Sequence, residues 1–324
     1  MTSSTDSSLW QVDDARPEHI DQIRVLFKSV FKEDMSRANW EWKYGDGRGA
    51  GVIVRNGDEV VAYFGGTERR VLFKGDEVCS IQCGDSMVAE SHRGTLSKKG
   101  PFYLSVTAFL GRYVGDDKPY LLSYGFPNER AMRLAERLGM YAEIGTMLEI
   151  SWTPEAAPQQ FHAEDFDFAS STHQQAATQL WSAMAADFRD RSIGIRDLEY
   201  LRHRYHNHPA LNYQLHLLSR EAGTTPFGLV VTRQHEGRLF LVDVVAAKED
   251  IRDLVIFARQ LASKLNCQDM FAWLTEVDSY LIADTAAIIG ERPLRLPLGV
   301  YCDGLKPDEV KDSWFFMCGD SDFL

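Results

Sequence analysis

The sequence predicts an α/β fold with a mixed β-sheet, and two observations support this. Short apolar runs bounded by turn signals alternate with segments whose apolar residues recur every three or four positions, a pattern typical of strands alternating with amphipathic helices. The same order of elements is found twice along the 324 residues, a length that suits two domains. We therefore expect two tandem copies of one α/β arrangement.

The first half supplies a complete set of these elements. Pro17 opens a helix whose apolar residues keep helical spacing to about residue 32, and Gly139 ends a later helix in the manner of a C-cap. Asn56-Gly57 and Lys74-Gly75-Asp76 are hairpin signals. The predicted strands are 9–16, 52–55, 60–69, 71–73, 78–88, 120–124 and a pair within 141–152; the predicted helices are 17–32, a short segment around Trp40 and Trp42, one from Pro101, and 127–138.

The polar stretch TPEAAPQQ at 153–160 is interpreted as a linker, which gives domains at 1–152 and 161–324. In the second half the predicted helices are 174–187, 197–205, 249–265 and 279–289, and the predicted strands are 213–219, 227–233, 238–246, 270–275, 295–302 and 313–318.

Charge and composition exclude several classes of function. The net charge of -12 argues against general binding to nucleic acid or to an anionic membrane, because both need a basic surface. The N-terminus lacks the features of a secretory signal, and no apolar run is long enough to span a bilayer, so we expect a cytoplasmic protein. Five irregularly spaced cysteines fit reduced thiols, and the sequence makes no prediction of oligomeric state.

The stretch VAESHRGTLSKKGPF at 88–102 joins a strand to a helix through a basic loop. Gly94 and Gly100 let the backbone approach a ligand closely, and Pro101 fits the first turn of a helix. A helix N-terminus carries unpaired N–H groups and partial positive charge, to which Arg93, Lys98 and Lys99 add fixed charge. The segment predicts a pyrophosphate cradle; an exposed basic loop is the alternative.

Two segments resemble the GCN5-related N-acetyltransferase (GNAT) family, over about residues 9–152. DSMVAESHRGTLSKKGPF is similar to the strand, loop and helix that bind acetyl-CoA in that family, and NERAMRLAERLGM at 128–140 is similar to its Asn-x-x-Ala-x-x-Leu-Tyr-x-x-x-Gly-Phe pattern. The resemblance implies the GNAT fold and acetyl-CoA or another acyl-CoA as co-substrate. It implies no metal.

The resemblance also assigns residues to the co-substrate. It implies that Met87 and Val88 pair with the pantetheine arm at a strand end, and that Asn128 lies beside the thiol, with Ala131 and Leu134 packing the same helix. Around the pyrophosphate it places Arg93, Gly94, Lys99, Gly100 and Phe102.

The implied reaction is direct attack of an amine on a thioester, with a small amine, an amino sugar or a protein amine as acceptor. Asp85 or Glu90 is the candidate base, directly or through water, and a backbone N–H near Met87 or Val88 is the candidate oxyanion donor. Tyr124 and Tyr141 are candidate acids, with buried packing at a strand end as the alternative. The acceptor side is expected to include three aromatic residues, Trp40, Trp42 and Tyr44. Packing in the core is the alternative role for all three.

Several positions depart from the family pattern. Ala89-Glu90 replaces the usual proline region, the basic loop is longer than the family's, and Met140 replaces a phenylalanine. Ala135 stands where the family often has the tyrosine that protonates the leaving thiolate. A catalytically weak acyl-CoA-binding or scaffold protein is therefore the alternative function. A nucleotide-phosphate binder is disfavoured because the loop has no Gly-x-x-x-x-Gly-Lys-Ser/Thr.

The second half resembles a diverged GNAT domain that has lost its phosphate loop. Residues 242–257 lack glycine, and Glu249 and Asp250 fall where phosphate would need donors, so we expect no acyl-CoA there. LRHRYHNHP, with His203, His206 and His208, is interpreted as a polar helix end rather than a metal site. Asp320 and Asp322 do not have the spacing of a calcium loop, and the tail is expected to pack through Trp314, Phe315 and Phe316.

Overall fold

The computed structural model describes residues 10–93, 98–158, 160–291 and 293–321. These residues form two compact units, each assembled from separate stretches of the chain. Described residues within Met1–Arg69, Cys79–Glu143 and Pro297–Glu309 form unit 1, and those within Arg70–Val78, Ile144–Leu296 and Val310–Leu324 form unit 2. The domain limits 1–152 and 161–324, with a linker at 153–160, stay a prediction.

In the first part of the chain the elements are β1 Gln11–Asp14, α1 Ile20–Phe31, α2 Arg37–Tyr44, β2 Gly49–Asn56, β3 Glu59–Phe73, β4 Asp76–Val88, α3 Pro101–Tyr113, β5 Leu122–Gly125, α4 Glu129–Arg137 and β6 Tyr141–Trp152. They are followed by β7 His162–Asp165, α5 Ser171–Asp187, β8 Ser192–Gly194, α6 Leu198–Leu201, β9 Gln214–Ser219, β10 Pro226–His235, β11 Arg238–Ala246, α7 Ile251–Lys264, β12 Asp269–Thr275, β13 Ile288–Ile289, β14 Leu294–Gly299, α8 Pro307–Val310 and β15 Trp314–Phe315. None of the described helices is long and apolar enough to cross a membrane.

Unit 1 is built on a mixed sheet, as predicted. Its strands follow the order β1-β2-β3-β4-β5, and the end of β14 adds to β5 through Leu298 and Tyr124. β2 pairs antiparallel with both β1 and β3, whereas β5 runs parallel to β4. A parallel neighbour requires a crossover connection, and α3 provides it.

Both faces of this sheet are buried in unit 1. Phe64 and Ile81 pack with Phe109 of α3 on one face, and Tyr63 and Met87 pack with α1 and α2 on the other. Neighbouring residues of β3 therefore serve opposite cores, because successive side chains of a strand point to opposite faces.

Most of the predicted elements of unit 1 are confirmed. The Asn56-Gly57 hairpin forms, with Asn56 opposite Glu59 and Gly57 at φ 60°, and α3 begins at Pro101. The strand pair expected within 141–152 is wrong. Tyr141–Trp152 is one strand, and it does not turn back because its residues from Met147 onward pair continuously with β12.

The strands of unit 2 are also of mixed direction and follow the order β6-β12-β11-β10-β9-β7. β11 runs parallel to β12, with α7 as the crossover, and the other neighbours in this order are antiparallel. One expected helix, 279–289, is wrong: a 3₁₀ turn at Glu276–Leu281 leads to the short strand β13. The Asp284 carboxylate accepts from Ala286 N and from Trp152 Nε1, which diverts the backbone from a helix.

The C-terminal segment of unit 2 is buried in its core. Trp314, Phe315 and Phe316 are at most 1% exposed, which confirms the predicted packing of the tail. Asp320 accepts a bond of 2.5 Å from Arg196 Nη2, and Arg196 Nε donates to Asp243 Oδ1 at 2.8 Å. All three of these charged side chains are fully buried, so one arginine is ion-paired with two carboxylates.

Arg196→Met is expected to destabilise the protein by about 3–5 kcal/mol, because it leaves two buried carboxylates without a cation. The free energy of unfolding measured with urea checks this. Arg189→Met is the matched control, since the Arg189 side chain is 77% exposed and makes only a 4.0 Å contact with Asp190. Equal unfolding free energies in the two variants would contradict this account of the tail.

Candidate functional site

The parallel ladder between β4 and β5 ends early. Ser80–Cys83 lie beside Leu122–Gly125, and β5 stops there, whereas β4 continues to Val88. On its other side β4 stays attached to β3, since Ala89 N donates to Val61 O at 2.8 Å. The edge of β4 over residues 84–88 has therefore lost its neighbour β5, and this is where the sequence placed Met87 and Val88.

Asp85 changes the direction of β4 at this opening. It has φ 50°, a left-handed conformation that is uncommon for a residue with a side chain. Before it, Ile81 and Cys83 face the core under α3; after it, Met87 faces the core under α1 and α2. Strict alternation would put these odd-numbered residues on one face, so the irregularity at Asp85 re-aims the rest of the strand, as bulges do beside active sites.

The Asp85 carboxylate is held by two side chains from the end of α2. Lys43 Nζ lies 2.7 Å from Asp85 Oδ2, and the Tyr44 hydroxyl donates to the same oxygen at 2.5 Å. Lys43 and Asp85 are only about one-tenth exposed. Ser36 caps α2 by accepting from Asn39 N, which fixes where this helix begins and hence where its last residues lie.

Tyr63 extends this cluster into the sheet. Its ring is 6.2 Å from that of Tyr44, and burial, followed by the charge of Asp85, raises its pKa, so the phenol stays protonated. A Cβ atom on Gly65 would lie 2.2 Å from the Tyr63 hydroxyl, and one on Gly51 would lie 2.6 Å from its ring. Glycine at these two positions therefore lets the Tyr63 ring lie across the strands.

The two candidate bases have different surroundings. Asp85 is engaged by Lys43 and Tyr44, whereas Glu90 lies exposed in a 3₁₀ turn directly after β4. Within the described residues the Glu90 carboxylate has no hydrogen-bond or ion-pair partner. The structure does not bring the two carboxylates into one cluster.

The predicted phosphate cradle is described in part. Gly100 is the N-cap of α3, with φ -81° and ψ 155°, and no side chain caps this helix among the described residues. Pro101 lacks an N–H, so Phe102 and the residue after it present the first amides of the turn. Lys98 and Lys99 are exposed just before this cap. Gly94 lies outside the described residues.

Arg93 hydrogen-bonds to the end of β4. Its side chain is exposed, and its Nε donates to Val88 O at 2.9 Å. The guanidinium is thereby held beside the strand end that the sequence assigned to the co-substrate. Trp10 and His92 form an edge-on ring contact at 5.4 Å nearby.

The remaining predicted residues lie on α4, β5 and β6. Asn128 is the N-cap of α4, where its Oδ1 accepts from Ala131 N at 2.9 Å. Ala135, at the family's tyrosine position, is fully buried in the core under α3. Tyr124 is 1% exposed, and burial, followed by the neighbouring Cys83, raises the pKa of Tyr141 well above its usual value.

Sequence reasoning missed Lys43 and Tyr63. Trp40 lies in the core, as its alternative proposed, whereas Trp42 and Tyr44 are half-buried. A local signal for Tyr63 does exist, since GAG at 49–51 and GG at 65–66 are glycines in strands, which often mark close approach of a large group.

Unit 2 also contains a parallel strand pair, but there the C-terminal tail of the chain continues the hydrogen bonding where the pairing ends. β11 pairs with β12 over Arg238–Leu241, and beyond this the tail joins β12, with Thr275 N donating to Phe316 O at 3.1 Å. Asp250 is paired with Arg220 at 2.6 Å. No group of three His, Cys, Asp or Glu side chains that could hold a metal occurs within the part of the chain that is described.

No protein-family model and no curated protein sequence matches this chain. Solved structures do. A probable N-acyltransferase from Enterococcus faecalis V583 has a TM-score of 0.65 at 14% identity, over 90% of this chain and 72% of that one. A GCN5-related N-acetyltransferase from Anabaena variabilis has 0.64 at 11% identity, over 90% and 73%.

The N-myristoyltransferase of Saccharomyces cerevisiae with bound myristoyl-CoA is also similar, with a TM-score of 0.57 at 12% identity over 94% of this chain and 87% of that one. The chain therefore has the GNAT-type N-acyltransferase fold that the two sequence segments predicted. Identities this low show the fold alone.

Lys43→Met is expected to lower the free energy of unfolding by about 1–3 kcal/mol, because it removes the cation from the nearly buried Asp85. Lys28→Met is the matched control: its pair with Asp34 is 3.0 Å long and its side chain is 64% exposed, so a loss of at most about 1 kcal/mol is expected. Urea unfolding of both variants measures the difference. A Lys43→Met variant as stable as Lys28→Met would show that Asp85 does not depend on Lys43.

Proposed function

We propose that this protein is an acyl-CoA-dependent N-acyltransferase that transfers acetyl or another acyl group to an amine in the cytoplasm. The observation that carries the proposal is the early end of the β4–β5 ladder, with an uncapped helix N-terminus and exposed cations following in the chain. The fold agrees with this chemistry, since the similar solved structures include acyltransferases.

The residues present fit the two polar parts of an acyl-CoA. The backbone at Met87 and Val88 is assigned to strand-type hydrogen bonds with an extended amide chain such as pantetheine, although Val88 O also accepts from Arg93 Nε. The first amides of α3, with Gly100 as the N-cap, suit a diphosphate, and Arg93 and Lys99 add charge; Phe102 and Gly94 belong to the same assignment. When bound, the acyl-CoA supplies an activated thioester carbonyl.

Proton handling falls to a carboxylate at the end of β4. The attacking amine must be neutral, because an ammonium ion has no lone pair. Glu90 is assigned the role of base, directly or through water, since its carboxylate is exposed and uncommitted. Asp85 is assigned a positioning role, since Lys43 and Tyr44 already bind it and its conformation sets the direction of the strand.

The remaining roles are stabilisation of the oxyanion and protonation of the leaving thiolate. A main-chain N–H near Met87 or Val88 is the proposed oxyanion donor. Tyr124 and Tyr141 stay candidate acids; Tyr124 is buried, Tyr141 is half-buried against the core, and neither occupies the family's tyrosine position, which is Ala135. A thiolate leaves without a dedicated acid more readily than an amine does, because its conjugate thiol is far more acidic. Asn128 is assigned to the thiol end as the cap of α4.

The acceptor class is an amine: a small amine, an amino sugar or a protein amine. Tyr44, which donates to Asp85, and Trp42, two residues earlier on the same helix, are proposed to form part of its site; both are half-buried. The second candidate function is a catalytically weak acyl-CoA-binding or scaffold protein, which the buried Ala135 favours.

Turnover separates these two functions. The protein is expected to release free thiol from acetyl-CoA, or from a longer acyl-CoA, when a panel of amines is added, and a thiol-reactive dye measures the rate. Glu90→Gln is expected to lower kcat at least tenfold, with the loss largest at low pH, where less of the amine is neutral. Thermal stabilisation by CoA without any thiol release would leave the binding protein as the function.

Gly100→Asp is expected to weaken CoA binding at least tenfold while keeping α3 folded. An aspartate at an N-cap accepts from the first amides of the helix, so it stabilises the helix. Its carboxylate also occupies the proposed phosphate position and repels the negative charge of the phosphate. Calorimetric titration with CoA measures the affinity. Gly111→Asp is the control, since it adds the same charge on α3 at an exposed position with nothing within 4 Å of the new Cβ. Equal CoA affinity in the two variants would show that the diphosphate of CoA does not bind at the N-terminus of α3.

A further inference from the structure

A cleft of about 650 Å³ lies in unit 2 and takes no part in the proposed acyl transfer. It is bounded by the loop after β7, by the turn Arg202–His206 and by the start of β9; we call it the β7 cleft. Sites for small molecules commonly have volumes of this size, with aromatic walls and a few polar groups. The cleft is lined by His206 and His208 of the histidine-rich motif LRHRYHNHP, which has no role in the proposed acyl transfer.

The turn Arg202–His206 is a π-helix, closed by Asn207 N donating to Arg202 O at 2.9 Å. Such turns are rare and occur often at functional sites. Here the turn sends its residues in two directions. Arg204 is buried, with Nε donating to Gly319 O, whereas Arg202 and His206 line the β7 cleft.

Arg202 is anchored and still has donors to offer. Its guanidinium lies 4.9 Å from the centre of the Phe168 ring, and Nη2 donates to Phe168 O at 3.1 Å. In the part of the chain that the structure describes, its Nε and Nη1 groups have no partner. A guanidinium held in place over a ring and by a hydrogen bond, with N–H groups left over, is preorganised to bind a carboxylate or a phosphate.

Two histidines lie on the same wall. The exposed ring of His206 lies 4.6 Å from Phe168. His208 Nδ1 accepts from Ala210 N at 3.1 Å and from Leu211 N at 2.9 Å, which fixes the turn after the π-helix. Arg202 and His206 therefore both contact Phe168 on this side of the cleft.

The other features of the cleft are flat rings and two engaged carboxylates. Phe168 and Tyr213 supply aromatic surface, with the Tyr213 ring 5.1 Å from that of Tyr205. Asp165 is paired with His216 at 3.2 Å, and Asp167 Oδ1 accepts from Ala169 N at 2.8 Å. Among the described residues neither carboxylate forms an ion pair with Arg202, so the guanidinium keeps its N–H groups for a ligand.

We propose that the β7 cleft binds a small organic anion in which a carboxylate or a phosphate is attached to a flat aromatic ring. Arg202, with His206, receives the anion, and the ring of the ligand packs on Phe168 and Tyr213. This site goes beyond the acyl transfer proposed for unit 1 and does not depend on it.

Phenyl phosphate is the probe, with benzoate, inorganic phosphate and benzylamine as comparisons. Ligand-detected NMR titration of the full chain is expected to show phenyl phosphate or benzoate binding, at least tenfold tighter than inorganic phosphate and benzylamine. The preferred member of the first pair identifies the anion. Inorganic phosphate binding as tightly as phenyl phosphate, benzylamine binding as tightly as either anion, or no binding at all would overturn the proposal.

Arg202→Gln is expected to weaken binding of the preferred anion at least tenfold, and Arg189→Gln, which removes the same charge from an exposed position, is expected to leave it unchanged. His206→Gln, at an exposed position, is a second variant that keeps the test decisive if Arg202→Gln fails to fold; it is expected to weaken binding about threefold or more. Unchanged affinity in either folded cleft variant would contradict the assignment.

Discussion

The structure of unit 1 depends on one constraint: a parallel strand pair whose shorter member stops before the longer one. β5 ends at Gly125, opposite Cys83, while β4 runs on to Val88. Backbone N–H and C=O groups that lose a strand partner need another one, and water or a ligand with an amide chain can provide it. The same crossover that makes β4 and β5 parallel also brings in α3, so the strand opening and the uncapped helix N-terminus arise from one topological feature.

The surroundings of Asp85 show how the chain sustains an irregular strand at this opening. A left-handed residue with a side chain costs of order 1–3 kcal/mol and persists only where neighbours enforce it. Lys43 and Tyr44 do so by binding the carboxylate, and the glycines at 51 and 65 let Tyr63 lie flat behind them. The cost of the conformation is thus offset by charge pairing and packing, and the result is a strand end that faces a different core from the one in which it began.

Local signals in the sequence predicted most of the fold, because hairpins, helix starts and helix ends depend on residues close in the chain. Asn56-Gly57 and Pro101 are examples. The resemblance located the fold and the strand end at Met87. What the sequence did not reveal are contacts between distant residues: Lys43 meets Asp85 42 positions later, and Arg196 meets Asp320 across 124. No periodicity encodes such pairs, and Asp320 appeared only as part of a rejected calcium pattern.

Unit 2 also has strand residues that lie beyond a parallel pairing, and a segment of the same unit hydrogen-bonds to them. Beyond the parallel pairing of β11 with β12, the chain's own tail continues the hydrogen bonding, through Thr275 with Phe316 and Leu274 opposite Met317. Two buried arginines hold that tail, one through Asp320 and the other through Gly319 O. The tail thus occupies the edge of β12 beyond its pairing with β11, whereas no segment of unit 1 takes the corresponding place beside β4 among the described residues. The contrast supports the proposal that the acyl-CoA binds in unit 1, since among the described residues unit 2 fills this position with its own tail and unit 1 does not.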